Sequence, residues 1–434
     1  MVLVSCSYVP LEIPLALGIP AKRAVFREPG ASCEAYLPRD FCPYAKAFAR
    51  EHGQDCVVAI AGSCDAMRRA YDALRYFGLA REVHFVDVPR SCGGGAEAYY
   101  AGVLRDFALE LAHAVRRERG DAGASAHDVD GPLFQRRLVA VMQSMNSLRQ
   151  GLSRLFELVA EGRISAMDAI GTALRVNDAL GTRPRGNWDS ASGAPADAGA
   201  ARGSERGGFM STAGTAVVLE GAMRLAGPCG PGAGGSGGSG QSRSGGRPGG
   251  RARVGVSGTC LLEPALLGVL EEVGLAVAFV DSCLGPRSFD FRVPTDEGVG
   301  QAEGDPRTDA GADENAAAGV NSSVIPGGSL DPFYALAHAY LGKPACPRMF
   351  VGDMRAQHLR KLVRSCGVHG IVYFAPKFCD HAYYDFAELK RHVGESEGLP
   401  MLLLEGEYGS ARSGQTLTRV TAFREMLEGR LGLG

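Results

Sequence analysis

The sequence lacks the features that would tie it to a membrane or to nucleic acid. None of its apolar runs approaches the ~18–20 residues that a membrane-spanning helix requires. The amino terminus has no basic region followed by an uninterrupted apolar stretch, because Pro10, Glu12 and Pro14 interrupt the one candidate. The 434 residues include 46 Lys and Arg against 48 Asp and Glu, so the net charge of -2 creates no field of either sign. We therefore expect a soluble cytoplasmic protein that binds neither membrane nor nucleic acid.

The short motifs of several common metal and nucleotide sites are also missing. The twelve cysteines include no Cys-x-x-Cys pair, which argues against zinc ribbons, thioredoxin-like redox pairs and ferredoxin-type sequences. The sequence has neither His-Glu-x-x-His nor Gly-x-x-x-x-Gly-Lys-Ser/Thr, so we expect no ATP site in this chain. Without an export signal the cysteines are expected to remain thiols, either as buried packing groups or as metal ligands.

The 60 glycines exceed the usual ~7%, and the excess is local. Twelve of the 24 residues from Gly227 to Gly250 are glycine, a composition that cannot bury enough apolar surface to offset its ordering entropy. We predict an N-terminal α/β lobe with a helical segment over residues 1–181 and a low-complexity Gly/Ser-rich insert over 182–252. A C-terminal α/β lobe follows over 253–434, with a second flexible insertion at about 295–329.

Six apolar runs predict β-strands in these lobes: Val57–Gly62, Val83–Val88, Val254–Gly258, Ala276–Asp281, Gly370–Ala375 and Met401–Glu405. Continuous apolar strands of this length favour a parallel sheet that is covered on both faces. Helical patterns lie between them, and residues 101–181 are mostly helical in pattern. The predicted fold class is α/β: two doubly wound Rossmann-like lobes with parallel sheets, a helical segment and two disordered insertions.

Cysteines follow four of the predicted strands. Cys64, Cys260 and Cys283 each come two residues after a strand, and Cys379 comes four residues after one. Open α/β sheets bind ligands beyond the carboxyl ends of their strands. The sequence therefore places thiols where a ligand or cofactor would bind.

Three cysteines also stand at predicted helix starts. Cys64 and Cys379 are each followed by Asp, and Cys42 is followed by Pro43, which suits the first position of a helix. The positive end of a helix dipole favours the thiolate, which is the form that binds metal. Three thiolates suit an iron–sulfur cluster with an open fourth position, and scattered structural cysteines are the alternative that these patterns leave open.

The sequence resembles the 2-hydroxyacyl-CoA dehydratase and benzoyl-CoA reductase family, in particular the iron–sulfur subunits of the component D type. The resemblance covers both lobes and skips the two insertions. It is carried by eight segments in order: Tyr8–Gly18, Pro38–Lys46, Gly62–Arg69, Asp87–Pro89, Asp281–Arg287, Asp331–Leu341, Pro376–Asp380 and Gly414–Arg419.

The resemblance implies that Cys42, Cys64 and Cys379 hold a [4Fe–4S] cluster. It also implies a lyase that acts within a two-component system. An ATP-dependent iron–sulfur activator injects one electron, the acyl-CoA thioester becomes a ketyl radical anion, and water leaves a 2-hydroxyacyl-CoA. The implied partners are this activator and either a homologous second subunit or a second copy of the chain.

Two alternatives remain open. The first is a homodimeric reductase of the same family with a double-cubane [8Fe–9S] cluster, for which the resemblance adds Cys6, Cys283 and Cys346 as ligands. The second is a non-catalytic α/β assembly protein whose cysteines are structural. Cys260 is a further candidate by position alone. No catalytic acid or base is assigned, and His381 is the one histidine to test for proton transfer.

Overall fold

A computed structural model describes residues 1–26, 36–50, 55–93, 95–119, 128–182, 250–295 and 331–433. The two predicted insertions, residues 182–252 and 295–329, lie almost entirely outside the described residues. Among the described residues, no helix has the length and hydrophobicity needed to cross a membrane.

The first sheet contains four parallel strands in the order β2-β1-β3-β4. The strands are β1 (Val2–Val4), β2 (Ala21–Arg23), β3 (Val57–Ala61) and β4 (Glu82–Val86). The helices of this region are α1 (Glu12–Ala16), α2 (Pro43–Arg50) and α3 (Asp65–Tyr76). The predicted strands at β3 and β4 are confirmed, and every side chain of β3 is buried, as expected for an apolar strand covered on both faces.

The second sheet repeats this topology with the order β6-β5-β7-β8, again all parallel. Its strands are β5 (Arg253–Gly258), β6 (Ala276–Asp281), β7 (Gly370–Pro376) and β8 (Met401–Gly406). Its helices are α7 (Ala265–Glu272), α8 (Pro332–Gly342), α9 (Met354–Cys366), α10 (Asp380–Leu389) and α11 (Gly414–Leu431). The predicted α/β class with two parallel sheets is confirmed.

The helical segment predicted over residues 101–181 consists of α4 (Ala96–Arg119), α5 (Pro132–Ala160) and α6 (Ala166–Leu180). It packs against both sheets: α4 lies against α8, α5 against α1 and β6, and α6 against β2, β6 and α7. Its apolar stripes are buried as the spacing predicts, for example Leu104, Leu111, Leu148 and Leu155. Burial of each leucine contributes about 1.5–3 kcal/mol, so these helices join the two lobes through one continuous core.

A buried polar triad fixes the contact between the lobes. Arg149 on α5 donates to Glu12 on α1 at 2.5 Å, and both contact the hydroxyl of Tyr340 on α8, at 2.9 and 2.7 Å. The arginine is also stacked over the Phe291 ring at 4.4 Å. Removal of one member of a buried ion pair leaves an uncompensated charge, so the triad fixes how α1, α5 and α8 meet.

Candidate functional site

The cysteines gather at the carboxyl ends of the strands, where each sheet reverses its order. The reversal lies between β1 and β3 in the first sheet and between β5 and β7 in the second. Cys6 follows β1 and Cys64 follows β3, while Cys260 follows β5 and Cys379 follows β7. Doubly wound sheets bind ligands at this switch point, and each sheet brings two buried thiols to its own.

The first cysteine group consists of Cys42, Cys64 and Cys379, each of which stands at the start of a helix as predicted. Helix α2 begins directly after Cys42, and Cys64 and Cys379 are the N-cap residues of α3 and α10. All three side chains are buried. Cys42 and Cys64 belong to the N-terminal lobe and Cys379, more than 300 residues later, to the C-terminal lobe, yet both Cys379 and Cys64 lie near enough to act on the pKa of Cys42. The fold therefore brings the three predicted ligands together.

At Cys42, burial opposes the expected preference of a helix start for the thiolate. Burial, with Cys379 and Cys64 acting in the same direction, raises the pKa of Cys42 to about 11, although the backbone N–H of Ala45 opposes it. Desolvation and like charges outweigh the helix dipole here. A metal that binds several of these sulfurs would supply the positive charge that the thiolates lack.

Arg348 lies among these thiols. Its Nη2 is 3.9 Å from the Sγ of Cys379 and its Nη1 is 3.6 Å from the Sγ of Cys346. Burial lowers the pKa of Arg348, but its proximity to Cys64, Cys346, Cys379 and Cys42 outweighs this effect and raises the pKa well above its usual value. The guanidinium is thus a fixed positive charge beside the cysteine sulfurs.

The second cysteine group consists of Cys6, Cys260, Cys283 and Cys346, all buried. Arg23, at the end of β2, donates to the Sγ of Cys283 at 3.0 Å and to the carbonyl oxygen of the same residue. Cys260 donates a hydrogen bond to Cys283, and this bond, assisted by Arg23, lowers the pKa of Cys283 well below its usual value. The three residues suggested by the double-cubane resemblance are therefore close to one another, and Cys260, identified by position alone, lies with them.

Lys343 adds a second buried cation to this group. Its Nζ donates to the carbonyl oxygen and hydroxyl of Ser7 at 2.5 and 2.9 Å, and it lies 4.1 Å from the centroid of the Tyr8 ring. Burial lowers the pKa of Lys343 to about 7, with the Arg23 charge acting in the same direction and the thiolates of Cys6 and Cys346 opposing it.

A buried network of charged side chains holds the loops that carry the second group. The Nη2 of Arg287 donates to the carbonyl oxygens of Gly258, Thr259 and Asp281, and its Nη1 donates to that of Ala345. Arg287 thereby joins the loops after β5 and β6 to the loop before Cys346. At Gly258, φ is +151° and a Cβ would collide with the carbonyl oxygen of Phe374, so only glycine allows β5 and β7 to approach there.

Asp281 is the central anion of this network. Its carboxylate contacts Arg287 Nε at 3.1 Å, Arg355 Nη1 at 2.6 Å and the Ser257 hydroxyl at 2.8 Å. Burial raises the pKa of Asp281, but the Arg287 and Arg355 charges outweigh it and hold the pKa well below its usual range. The carboxylate is ionised, and its charge is balanced by arginines of the same chain.

Two residues at the first group set its local geometry and chemistry. Phe378, directly before Cys379, has φ = +58° and is 46% exposed, a backbone conformation that costs a non-glycine residue about 1–2 kcal/mol. His381 is the second residue of α10, where burial and then the Arg348 and Arg90 charges lower its pKa. A neutral imidazole beside the cysteines can accept a proton, which is the role that the sequence suggests for His381.

The buried thiols of the two cysteine groups are of the chemical type that can hold an iron–sulfur cluster. In the part of the chain that the structure describes, no three His, Cys, Asp or Glu side chains are close enough to hold one ion. A cluster places each thiolate on a different iron and so tolerates wider spacing. The buried thiols, the raised pKa of Cys42 and the adjacent Arg348 form a donor set that becomes favourable once the sulfurs are ligated.

Two cavities differ in their relation to the cysteines. A cavity of about 100 Å³ is lined by Cys6, Arg23, Arg149 and Tyr340, and it is too small for a drug-sized ligand. A cleft of about 620 Å³ lies at the amino ends of the strands of the second sheet, where β5 and β6 begin. The large cleft is therefore not at the switch point that carries the thiols.

The fold and the site together define a two-lobed α/β protein with buried cysteines at the switch points of both parallel sheets. The sequence matches the family described as 2-hydroxyglutaryl-CoA dehydratase, D-component, over residues 6–183 and 310–427, which is more than half of the chain. The chain belongs to this family, as the resemblance predicts. The matched residues include five cysteines of the two groups and leave out Cys260 and Cys283.

Two relatives match shorter segments. The chain is 33% identical over 97 residues to an Escherichia coli (strain K12) protein named as dehydratase subunit YjiM, a match that covers 22% of this chain and 25% of that protein. It is 32% identical over 73 residues to the (R)-phenyllactyl-CoA dehydratase beta subunit of Clostridium sporogenes, which covers 17% of this chain and 19% of that subunit. The matches span about a quarter or less of these relatives.

Arg23, Lys343 and Arg348 were not predicted as site residues. None of the three belongs to a recognised motif, and each acts on at least one cysteine that a distant segment supplies. Lys343 and Arg348 flank Cys346 within five residues, and this clustering of basic residues around a cysteine is the sequence signal that could have identified them.

Proposed function

We propose that this chain is the [4Fe–4S] cluster-carrying subunit of a 2-hydroxyacyl-CoA dehydratase-like enzyme, with Cys42, Cys64 and Cys379 as the cluster ligands. The observation that carries the proposal is the convergence of these three buried thiols from both lobes beside Arg348. Membership of the dehydratase family supports the reaction class. The name of the Clostridium sporogenes relative supports an acyl-CoA thioester with a 2-hydroxyl group as substrate.

The residues of this chain have definable tasks in such an enzyme. The two switch points hold the thiols away from water, and Arg348 places a positive charge next to them. His381, neutral because burial and nearby arginines lower its pKa, is the candidate to accept the proton that C3 loses when the 2-hydroxyl is eliminated. A bound cluster would supply one-electron reduction and a Lewis-acidic iron for the substrate oxygen.

The proposal includes partners and a compartment. Each chain contains a single copy of the first cysteine group. We propose that the chain pairs with a homologous second subunit or with a second copy of itself. One-electron reduction at low potential requires a donor, for which we propose an ATP-dependent iron–sulfur activator. Reduced thiols throughout the described residues are consistent with a cytoplasmic location, which is part of the same proposal.

The test is anaerobic purification followed by measurement of iron and sulfide per chain. We expect about four of each, together with an activator-dependent conversion of a 2-hydroxyacyl-CoA into the enoyl-CoA. Iron and sulfide near zero would contradict the proposal and would favour the non-catalytic assembly protein.

A specific observation favours the double-cubane reductase as the second candidate. The second cysteine group adjoins the first, since Arg348 contacts both Cys379 and Cys346. This candidate predicts about eight iron atoms per chain and loss of iron when Cys6, Cys283 or Cys346 is replaced by Ala. About four iron atoms, with those three variants unchanged, would exclude it.

A further inference from the structure

Buried arginines in this protein divide into two kinds. Among the described residues, Arg149, Arg287 and Arg355 are buried and each pairs with a carboxylate, of Glu12 or Asp281. Transfer of a guanidinium out of water is costly, and such pairing is the usual compensation. These three arginines are explained by the fold.

Arg23, which is buried, and Arg348, which is half-buried, are compensated differently. In the described ranges no carboxylate lies within ion-pair distance of either, and the side-chain partners of both include cysteine sulfur: Cys283 for Arg23, and Cys346 and Cys379 for Arg348. The Nε of Arg348 is shielded from solvent and has no hydrogen-bond partner. A guanidinium held away from water beside cysteine sulfurs is stabilised when those sulfurs are anionic.

We infer that Arg348 is a positioning residue that sets the reduction potential of the cluster through its contacts with Cys379 and Cys346. The inference rests on the proposed function, because it needs thiolate ligands to a cluster. Hydrogen bonds to ligand sulfurs and nearby positive charge stabilise the more negative, reduced state and so raise the potential. Arg348 is suited to this role because its charge is permanent and its fork reaches two sulfurs at once.

The contacts also explain why this arginine affects both cysteine groups. Its two terminal nitrogens point to different cysteines, one in each group, at 3.6 and 3.9 Å. These nitrogen–sulfur distances are at the long end for hydrogen bonds, even to a sulfur acceptor. The charge, more than a single hydrogen bond, is therefore expected to produce the effect.

The test is a redox titration of the anaerobic protein, monitored by electron paramagnetic resonance, for wild type, Arg348→Gln, Arg348→Lys and Arg412→Gln. Arg412 is the matched control, since its replacement removes the same charge from an exposed pair with Glu272. We expect Arg348→Gln to shift the reduction equilibrium at least tenfold towards the oxidised state, which lowers the midpoint potential by about 59 mV. Arg348→Lys should retain most of the wild-type potential, and Arg412→Gln all of it.

The outcomes separate this inference from the proposed function. A wild-type protein without iron overturns both. A wild-type protein with its iron and an unchanged potential in an iron-replete Arg348→Gln variant overturns only the inference. If Arg348→Gln loses its iron, retention of iron by Arg348→Lys supports a requirement for the charge. Equal loss in both variants, with the fold intact by circular dichroism, shows that shape is required instead and contradicts the inference.

Discussion

Replacement of Asp281 by Asn is expected to destabilise the protein through the loops that carry the second cysteine group. The change preserves the shape of the side chain and removes a buried negative charge that faces Arg287 and Arg355. Arg355 keeps a second carboxylate, that of Asp385 at 3.3 Å, whereas Arg287 keeps only backbone carbonyl oxygens. One guanidinium is therefore left buried without an anion.

The expected loss of stability follows from the number of carboxylates that each arginine retains. Removal of one partner from a buried ion pair costs about 3–5 kcal/mol, and the remaining Asp385 places Asp281→Asn near the lower end, at about 3 kcal/mol. At roughly 2 °C per kcal/mol for a large domain, the Tm should fall by about 6 °C or more. The assay is thermal unfolding of the anaerobic protein at neutral pH by circular dichroism.

A matched variant gives the control. Asp290→Asn makes the same substitution at an exposed position nine residues later, and its Tm should stay within about 1 °C of wild type. Because Arg287 joins the loops beside Cys260, Cys283 and Cys346, Asp281→Asn should also speed alkylation of these thiols in the metal-free protein. Equal Tm values for the two variants would refute the reasoning.

Three further predictions concern single residues of the site. Arg23→Gln should raise the pKa of Cys283 and slow its alkylation in the metal-free protein while Cys379 is unaffected, and equal alkylation rates would show that Arg23 does not stabilise a thiolate there. Burial lowers the pKa of Lys343 from 10.5 to about 7. Between these two values the unfolded chain holds a proton that the folded chain has released, so the free energy of unfolding rises with pH. Lys343→Met should flatten this rise in urea unfolding of the metal-free protein, and an unchanged dependence on pH would contradict the burial of Lys343. Phe378→Gly should be about 1 kcal/mol more stable than Phe378→Ala, since both remove the ring and only glycine relieves the positive φ, and equal stabilities would refute the strain.

Much of the fold could be predicted because its signals are local. Strand β3 and strand β7 are uninterrupted apolar runs with every side chain buried, and α3 and α10 begin directly after Cys64 and Cys379 as their sequences indicate. Strands β1 and β2 were missed because each has only three residues, too few to show a periodic pattern.

The composition of the site depends on contacts that no local pattern reports. Arg23 meets Cys283 across 260 positions of sequence, and Cys42 and Cys64 act on the pKa of Arg348 because the two lobes pack against one helical segment. The resemblance to the family identified the cysteines residue by residue but carried no information on the cations between them. The electrostatics of the site therefore depend on the packed structure and are not encoded in any local sequence pattern.

The central claim is that Cys42, Cys64 and Cys379 hold one iron–sulfur cluster. The most direct measurement is the iron-to-protein ratio and visible absorbance of anaerobically purified Cys42→Ala, Cys64→Ala and Cys379→Ala, compared with Cys56→Ala, a partly buried thiol that belongs to neither cysteine group. We predict that each of the first three variants loses most of the iron and the absorbance of wild type, and that Cys56→Ala retains both. Full iron content in any of the first three, or an equal loss in Cys56→Ala, would contradict this account.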